Sequence, residues 1–476
     1  MLGRDRTGGA VEPLPAQAAP RPNIVFIIAD DLDLRSLDAM PRIPRLLGDQ
    51  GVTFSRAYVA SPSCCPSRAS IFRGQYPHNH GVLGNTCPTG GFQKFYERGN
   101  ETSTVATWLQ EAGYRTALVG KYLNNYPLRD DPSHIPPGWD EWNVYVGEGK
   151  YFSWVLSEQG KWVEYGNEPE DYETDVLARK AIAFIEQSTA SGEPFFLYLA
   201  PHPPHDPSIA APRHEGAFPD AQAPRTPAFN EEDVSDKPKR VRKSPPLTPD
   251  QIDEIDERYR ARLRSMLSVD ELVQNVIETL EKAGSLENTY IVFTSDIGYD
   301  HGEHRQTLGK GTPYEEATHV PLLVRGPGVP AGRIEEWLVT NIDIAPTFAA
   351  LAGAEAPDFV DGRSLVPLLH GEEENWRQAV LGQFTTQFHL LVTADRAYIA
   401  YSNVREEREL YDLSTAPYEL DNLISSPDRR GEVATMDAWL AALSTCAAGE
   451  CRTIEDEPPG RLGAILPTSI HETAAD

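Results

Sequence analysis

The sequence has no long hydrophobic run and a shortage of positive charge. Its longest apolar stretches, such as residues 24–29, have the length of one β-strand, far below the roughly 18 residues of a membrane-spanning helix, so we expect no membrane span. Lysine and arginine together number 43 against 71 aspartates and glutamates, and the net charge is −28. Because a nucleic-acid-binding protein needs a basic face to neutralise phosphates, the composition argues against a nucleic-acid partner.

Cysteine is also scarce, and its number is odd. Four of the five cysteines could form disulfides, Cys446 with Cys451 in a small loop and Cys65 with Cys87, and this pairing leaves Cys64 over. Five reduced thiols in a cytosolic enzyme are the alternative. Residues 1–20 lack the apolar segment of a signal peptide, so the beginning of the chain leaves the compartment open.

Short apolar runs alternate with helical patterns along most of the chain. Strands are predicted at residues 23–29, 53–59, 116–119, 195–199, 290–293 and 320–324, and helices at 102–113, 172–187 and 263–280. This alternation is typical of an α/β fold with a large mixed, mostly parallel sheet flanked by helices. Near the end of the chain, runs at 379–384, 389–393, 398–402 and 410–413 predict a smaller antiparallel sheet, followed by a helix at 432–443.

These patterns divide the chain into three parts. Residues 1–21 are interpreted as a flexible leader rich in alanine and proline, residues 22–371 as the catalytic domain, and residues 372–476 as a C-terminal subdomain of antiparallel sheet and helix. Residues 206–250 are rich in proline and charge, which predicts a long surface excursion within the catalytic domain.

Potential site residues follow several of the predicted strands. Because the carboxyl ends of parallel strands share one edge of a sheet, we expect the side chains after them to converge. They are Asp30 and Asp31 after 23–29, Cys64 after 53–59, Lys121 after 116–119, His202 after 195–199, and Asp296 after 290–293.

The three aspartates Asp30, Asp31 and Asp296 are suited to a hard cation. Carboxylate oxygens are the preferred ligands of Ca²⁺ and Mg²⁺, and a cation would explain carboxylates that are costly to bury unpaired. Taken alone, the Asp30-Asp31 pair would also suit a helix cap.

The remaining residues favour an anion. Pro66 suits a first helical turn, so Cys64 lies just before a helix N-terminus, where free N–H groups attract negative charge. Arg68 adds a bidentate donor, and Lys121 and Lys310 are two further candidate cations. With His202 as a proton donor, this set describes a site for a tetrahedral oxyanion ester, either phosphate or sulfate. Taken alone, each lysine would be interpreted as a solvated surface residue, and His202 as part of a rigid loop.

The sequence around Cys64 resembles the signature of a known enzyme family. Cys-Cys-Pro-Ser-Arg at 64–68 followed by Ala-Ser-Ile-Phe-Arg-Gly-Gln-Tyr-Pro-His-Asn-His-Gly-Val at 69–82 is similar to the signature of the type I sulfatases. The Cys-Cys form, Gly-Lys-Tyr-Leu-Asn at 120–124 and Val-Pro-Leu-Leu-Val-Arg-Gly-Pro-Gly at 320–328 most resemble the N-acetylglucosamine-6-sulfatase and extracellular endosulfatase branch. The resemblance runs from about residue 22 to about residue 370, and more weakly to residue 423.

This resemblance implies an alkaline-phosphatase-like fold and a sulfuric ester hydrolase. A formylglycine-generating enzyme would oxidise Cys64 to formylglycine, whose hydrated aldehyde would attack sulfur and whose second hydroxyl would allow sulfate to leave. An unmodified cysteine would leave the site nearly inactive. Asp30, Asp31 and Asp296, together with residue 64, would hold Ca²⁺, with Mg²⁺ as the second choice. The substrate would be a sulfated carbohydrate, with glucosamine 6-sulfate favoured, or an aryl sulfate.

The resemblance also implies a role for each cationic residue. Arg68 would position the formylglycine, and Lys121 and Lys310 would bind the sulfate oxygens. His202 would protonate the leaving alcohol, with His205 as the less favoured rival because His202 fits the His-X-Pro position of the family better. Members of this branch are mostly secreted or compartmental, which favours a secreted or periplasmic location, with a cytoplasmic one left open.

Two positions depart from the family pattern. The family has Ser-Asp-Asn-Gly, or histidine in place of asparagine, and this third residue is a metal ligand, whereas the chain has Ile297 there. Because isoleucine cannot coordinate a cation, either Ca²⁺ binds more weakly with water in the gap or the site is degraded. Leu123 stands where many sulfatases have histidine, which is a mark of the branch rather than a defect.

Two rival functions follow from these features. One is hydrolysis of phosphate monoesters or diesters on the same fold, although those enzymes more often use serine or threonine as the nucleophile. The other is a catalytically weakened binder of sulfated glycans, motivated by Ile297. Five basic residues in the excursion are interpreted either as a solvated loop or as a rim that gathers a polyanionic glycan: Lys237, Lys239, Arg240, Arg242 and Lys243.

Overall fold

The computed structural model describes residues 21–307, 309–373, 375–384, 387–402 and 407–459. Its strands are β1 (Asn23–Ala29), β2 (Val52–Phe54), β3 (Ala57–Tyr58), β4 (Arg115–Gly120), β5 (Glu141–Tyr145), β6 (Trp154–Glu158), β7 (Lys161–Tyr165), β8 (Phe195–Ala200), β9 (Thr289–Ser295), β10 (Leu322–Arg325), β11 (Arg333–Glu335), β12 (Val339–Thr340), β13 (Ala379–Phe384), β14 (Phe388–Thr393), β15 (Arg396–Tyr401) and β16 (Arg408–Asp412).

Helices surround these strands. They are α1 (Leu34–Leu37), α2 (Cys64–Arg73), α3 (Pro77–His80), α4 (Gly91–Glu97), α5 (Val105–Glu111), α6 (Glu173–Ser191), α7 (Lys239–Arg242), α8 (Pro249–Lys282), α9 (Glu315–Thr318), α10 (Ile344–Ala352), α11 (Val366–His370), α12 (Arg430–Leu443) and α13 (Gly449–Asp456). No helix in the described ranges combines the length and the apolar character needed to cross a membrane.

Ten strands form one large sheet in the order β11-β2-β10-β9-β1-β8-β4-β5-β6-β7. The central strands β9, β1, β8, β4 and β5 are parallel, while β10, β6 and β7 run antiparallel to their neighbours. The mixed, mostly parallel sheet predicted from the sequence is therefore confirmed. Because β1, β4, β8 and β9 point the same way, the residues after them lie at one edge.

The core lies on both faces of this sheet. Even-numbered residues of β1, from Ile24 to Ile28, belong to one hydrophobic cluster with α5 and α10, and its odd-numbered residues, from Val25 to Ala29, belong to another with α6 and α8. Successive strand residues point to opposite faces, so helices on both sides bury the strand completely. This double burial explains why the central strands are continuous apolar runs.

The C-terminal strands β13 to β16 form a four-stranded antiparallel sheet, as predicted. One face of this sheet packs against α12 through Trp439 and Leu440, close to the predicted bounds of that helix. The expected disulfide Cys446–Cys451 is confirmed.

Two expectations from the sequence are wrong. The predicted strand at 53–59 is two strands, because β2 joins the large sheet whereas β3 pairs with β12 in a separate two-stranded sheet. Cys65 and Cys87 do not form a disulfide; Cys65 is buried and Cys87 is exposed.

The segment interpreted as a leader lies, except for Arg21, outside the described residues. The segment 206–250 is largely irregular, yet it adds buried side chains such as Ala223, Val234 and Val241 to the clusters.

His80 fixes the turn that follows the helix carrying Cys64. Its Nδ1 accepts a hydrogen bond from the main-chain N–H of Val82 at 3.1 Å, so the neutral ring carries its proton on Nε2 and donates to Ser70 Oγ at 3.0 Å. Burial, with a smaller effect of Arg73, lowers the pKa of His80 to about 3. The fold therefore holds this histidine neutral.

We expect His80 to make the protein less stable as the pH falls. Its pKa is about 3 in the folded protein and 6.5 ordinarily, so between these values the unfolded chain binds a proton that the folded protein does not. The contribution of His80 to the free energy of unfolding is therefore complete above pH 6.5 and is lost progressively towards pH 3. At pH 5 the loss from this residue is roughly 2 kcal/mol. Urea unfolding at pH 7 and pH 5 measures it.

The variant His80→Gln should reduce this difference between the two pH values, because glutamine can accept and donate but does not titrate. The control Ser70→Ala should lower the free energy of unfolding at both pH values and keep the difference. Equal pH differences in wild type and His80→Gln would contradict the expectation.

Candidate active site

A cavity of about 640 Å³ lies at the edge where the parallel strands end. Asp30 and Asp31 directly follow β1, Lys121 follows β4, and Asp296 follows β9. Five of the residues singled out from the sequence line this cavity: Cys64, Lys121, His202, His205 and Lys310. The structure therefore brings together side chains that are up to 279 positions apart in the chain, as in the contact of Lys310 with Asp31.

Cys64 is the first residue of α2, which is buried from Cys64 to Phe72. Its Sγ lies 3.6 Å from Asp31 Oδ1 and 3.9 Å from Lys310 Nζ. Burial raises the pKa of the Cys64 thiol well above its usual range, although Lys121 and Lys310 oppose this. The unmodified side chain is thus a neutral thiol at physiological pH and a poor nucleophile.

Asp30 and Asp31 are each neutralised by one lysine. Lys121 Nζ donates to both carboxylate oxygens of Asp30 at 2.6 and 2.7 Å, and Lys310 Nζ donates to Asp31 Oδ2 at 2.5 Å. Burial is the largest effect and opposes ionisation of both carboxyls, but Lys121 or Lys310 together with His205 and the other positive groups nearby hold the pKa of Asp30 and of Asp31 below its usual range. Both aspartates are therefore ionised and available to a cation.

Asp296 is paired with Arg68, one turn after Cys64 in α2. Arg68 Nε donates to Asp296 Oδ2 at 2.7 Å, and its Nη1 donates to the carbonyl of Lys121 at 3.1 Å. Asp296 Oδ1 accepts from the main-chain N–H of Asp31 at 3.0 Å. Burial raises the pKa of Asp296, and Arg68 only partly offsets it. These contacts fix α2 against the ends of β1, β4 and β9.

Two histidines lie beside the aspartates. His202 is almost fully buried, with Nδ1 3.5 Å from Asp30 Oδ2, and neither ring nitrogen has a hydrogen-bond partner among the described residues. Burial lowers the pKa of His202, against the effect of Asp30. His205 is more exposed, and its Nε2 lies 3.1 Å from Lys310 Nζ and 3.7 Å from Asp31 Oδ2.

Two buried residues that support the site were not predicted from the sequence. Arg262 of α8 donates to the carbonyls of Asp31 and Pro204, which holds Asp31 in the left-handed backbone region at φ 68°. Its position one turn from Tyr259 and Met266, on the apolar face of the helix, was a usable signal. Glu173 accepts the main-chain N–H of His202 at 3.0 Å, and no feature of its sequence context marked it.

Ile297 contributes no ligand atom. Its side chain is fully buried and packs with Cys64, Val59 and Val320 in a small apolar cluster. The position at which the family has asparagine or histidine is therefore filled by hydrocarbon that packs against the thiol of Cys64.

One part of the predicted basic rim is wrong. Lys237 is fully buried, because its Nζ donates to the carbonyl of Leu420 and forms an ion pair with Glu231 at 3.2 Å. The remaining four basic residues of that segment are exposed. Lys237 therefore anchors the segment and cannot attract a glycan.

The residues present fit one metal ion. Asp30, Asp31, Cys64 and His205 offer ligand atoms that all lie within 4.8 Å of one another. Two oxygen ligands of a Ca²⁺ ion, each about 2.3–2.6 Å from it, are at most about 5 Å apart, so this spacing suits a shared cation. Asp296 is not in this group of four; its carboxylate accepts hydrogen bonds from Arg68 and from the N–H of Asp31.

Comparisons with known proteins agree with this geometry. The family model described as Sulfatase matches residues 22–354, and a model described as N-sulphoglucosamine sulphohydrolase, C-terminal, matches residues 302–445. N-acetylglucosamine-6-sulfatase of Homo sapiens is 35% identical over 94% of this chain and 88% of its own length. The extracellular sulfatase SULF-1 homolog of Drosophila melanogaster is 38% identical over 76% of this chain and 33% of its own length.

The chain is also similar to a solved structure. A protein in complex with its substrate, D-glucosamine-2-N,6-O-disulfate, superposes with a TM-score of 0.76 at 26% identity, covering 88% of this chain and 97% of that one.

We expect Ca²⁺ to stabilise the folded protein through this site. A ligand that binds only the folded state at about 100 times its Kd adds roughly 2.7 kcal/mol to the free energy of unfolding. Thermal unfolding with and without Ca²⁺ measures the shift. Asp31→Asn should abolish it, whereas Asp49→Asn, at an exposed position, should keep it. An equal Ca²⁺-dependent shift in Asp31→Asn and wild type would place the ion elsewhere.

Proposed function

The chain belongs to the sulfatase family and is a sulfuric ester hydrolase, and from this premise we propose that it releases inorganic sulfate from 6-sulfated glucosamine residues. The observation that supports this most directly is the convergence of Cys64, two lysines and two histidines in one cavity, with three buried aspartates beside them: Asp30, Asp31 and Asp296. The family and the alkaline-phosphatase-like fold implied by the resemblance of residues 64–82 are confirmed by the family match and the structural neighbours.

The choice of sugar is supported by the relatives and by the cavity. The full-length relatives include N-acetylglucosamine-6-sulfatases, and one structural neighbour binds a 6-O-sulfated glucosamine. The cavity is also lined by polar side chains suited to the hydroxyl groups of a sugar, among them Asn124, Asn125, Glu148, Lys150 and Asn167. Aryl sulfates, which carry the same ester, are expected to be accepted as well.

In this proposal Cys64 is converted to formylglycine by a formylglycine-generating enzyme. The hydrated aldehyde of formylglycine supplies an oxygen nucleophile and a second hydroxyl that lets sulfate leave. Without this conversion Cys64 would be a poor nucleophile, because burial raises the pKa of its thiol and keeps it protonated. Arg68, one turn further along α2, would position residue 64 through its contacts with Asp296 and the carbonyl of Lys121.

Asp30, Asp31 and Asp296 would hold Ca²⁺ together with residue 64. Carboxylate oxygens favour a hard divalent cation, and such an ion would polarise a sulfate oxygen and favour the ionised nucleophile. The three carboxylates are buried and lie next to one another through the hydrogen bond from Asp31 N–H to Asp296.

The remaining cavity residues would act on the sulfate group and the leaving alcohol. Lys121 and Lys310 present ammonium groups beside Cys64 and would bind the sulfate oxygens, where preorganised positive charge stabilises the charge that develops in the transition state. His202 would protonate the leaving oxygen, because neither ring nitrogen has a hydrogen-bond partner among the described residues and Asp30, 3.5 Å from Nδ1, favours the protonated ring against the effect of burial. His205, which contacts Lys310, is the rival for that role.

An extracytoplasmic location belongs to the same proposal. The disulfide Cys446–Cys451 is typical of an oxidising compartment, and two relatives carry the word extracellular in their names.

The proposal predicts sulfate release from N-acetylglucosamine 6-sulfate by protein co-produced with a formylglycine-generating enzyme, after peptide mass confirms conversion. Cys64→Ala should lower the rate by at least about 10³-fold, because it removes the nucleophile. Cys65→Ser is the matched control, since the neighbouring cysteine is equally buried but does not face the cavity, and it should retain activity.

A 3-sulfated glucosamine and a phosphate monoester separate the alternatives. Release of sulfate from the 6-position alone supports the proposed specificity. Faster release from the phosphate ester would favour the phosphatase rival, and no turnover of fully converted protein with any ester would contradict the proposal.

We expect Ile297→Asn to lower the Ca²⁺ concentration needed for half-maximal activity by roughly tenfold, which corresponds to about 1.4 kcal/mol, because asparagine adds one oxygen ligand. The loss of buried hydrocarbon beside Cys64 should destabilise the protein by about 1–3 kcal/mol. Ile297→Val is the control, which removes packing without adding a ligand and should leave the Ca²⁺ requirement unchanged. If only Ile297→Asn turned over the substrate, the wild-type protein would be a binder of sulfated glycans and not an enzyme.

A further inference from the structure

A second group of potential ligands lies outside the cavity, around the loop that carries Lys310. His304 precedes this loop, Glu316 follows it in α9, and Glu419 comes from the segment after β16. These three residues place ligand atoms within 4.8 Å of one another. Ligand atoms about 2.0–2.5 Å from one ion lie no more than about 5 Å apart, so the three side chains could share a single metal ion.

His304 is oriented as a metal ligand would be. Its ring is fully buried, and Nδ1 contacts Glu231 Oε2 at 2.7 Å, which places the ring proton on Nδ1 and leaves the lone pair of Nε2 free. Nε2 has no hydrogen-bond partner among the described residues. A carboxylate that orients a histidine through its other nitrogen is the usual outer contact of a metal-bound histidine.

The carboxylates of this group lack a positive partner. Within the described ranges, neither Glu316 nor Glu419 has an ion pair with a lysine or arginine, and Glu316 Oε2 is buried without any partner. Glu303 and Asp300 are two further buried carboxyls nearby. Burying a carboxylate without a positive partner costs free energy, so this group of carboxylates needs a positive ion to compensate its charge.

Two cations of the described residues in this region already have other partners. Lys237 is buried in the same region, but its ammonium group is already shared by Glu231, Asp236 and the carbonyl of Leu420. Arg305, next to His304, donates to the carbonyls of Glu231, Glu232 and Ser244 rather than to a carboxylate.

We propose that His304, Glu316 and Glu419 form a second metal site that binds a divalent transition-metal cation such as Zn²⁺ or Mn²⁺. One imidazole nitrogen with two carboxylates is a mixed set that suits these metals, whereas the all-carboxylate set of Asp30, Asp31 and Asp296 suits Ca²⁺. The ion would join the loop that carries Lys310 to the C-terminal segment through Glu419. It would thereby hold Lys310 in place without touching the substrate.

Titration of Co²⁺ into Ca²⁺-saturated protein tests this proposal, because Co²⁺ bound to nitrogen and oxygen ligands absorbs visible light and Ca²⁺ does not. The expected result is one Co²⁺ per chain with a visible absorption band. His304→Gln and Glu316→Gln should lose it. Glu315→Gln, the adjacent residue on α9, whose carboxylate contacts His319 and Tyr58, is the matched control and should bind Co²⁺ as wild type does.

Asp31→Asn separates this site from the active site. Co²⁺ binding that persists in Asp31→Asn and disappears in His304→Gln supports the proposal, whether or not the protein turns over any sulfate ester. Binding that is lost in Asp31→Asn, or kept in both His304→Gln and Glu316→Gln, would overturn it.

A measurement on the unaltered protein covers the case in which the variants fail to fold. Ca²⁺-saturated wild type that binds no Co²⁺ and whose unfolding temperature does not rise on addition of Zn²⁺ or Mn²⁺ would overturn the proposal. The carboxyls would then share protons instead of a metal ion.

Discussion

The balance between buried carboxylates and the lysine and arginine side chains paired with them determines how the strand ends are held at the cavity. Lys121 neutralises Asp30, Lys310 neutralises Asp31 and Arg68 neutralises Asp296. Each pair joins two different segments of the chain, so the geometry of the edge depends on all three pairs. Removing one partner of a buried pair typically costs about 3–5 kcal/mol, because the other charge is left without compensation.

The same pairing of carboxylates with lysines couples the binding of the metal ion to the binding of the sulfate ester. Lys121 and Lys310 are both the partners of the carboxylates and the groups proposed to bind sulfate. A divalent ion on Asp30 and Asp31 would compensate their charge and release the two ammonium groups towards an anion. Cation and sulfate ester would therefore favour each other's binding, which is a reciprocal effect of any such exchange of partners.

The sequence was sufficient for the parts of the structure that burial determines. Strands β1, β8 and β9 are covered on both faces, so they appear as continuous apolar runs, and the polar residues directly after them could be placed at one edge. The antiparallel direction of β10 was not predictable, because a short apolar run does not record the direction of its neighbour. The break between β2 and β3 was missed for a similar reason, since only pairing with β12 distinguishes them. Arg262 was missed because it reaches Asp31 from a helix 231 positions away in the sequence.

The helix that begins at Cys64 has a consequence for how the protein is produced. Cys64 is only 1% exposed, and the residues after it in the first two turns are buried as well. An enzyme that modifies residue 64 needs the surrounding peptide in its own active site, and the finished fold does not offer that peptide. The proposed conversion must therefore take place before folding buries residue 64, and modification and folding compete kinetically. A sequence change that speeds folding would then lower the fraction of active molecules, even though every molecule reaches the same native structure.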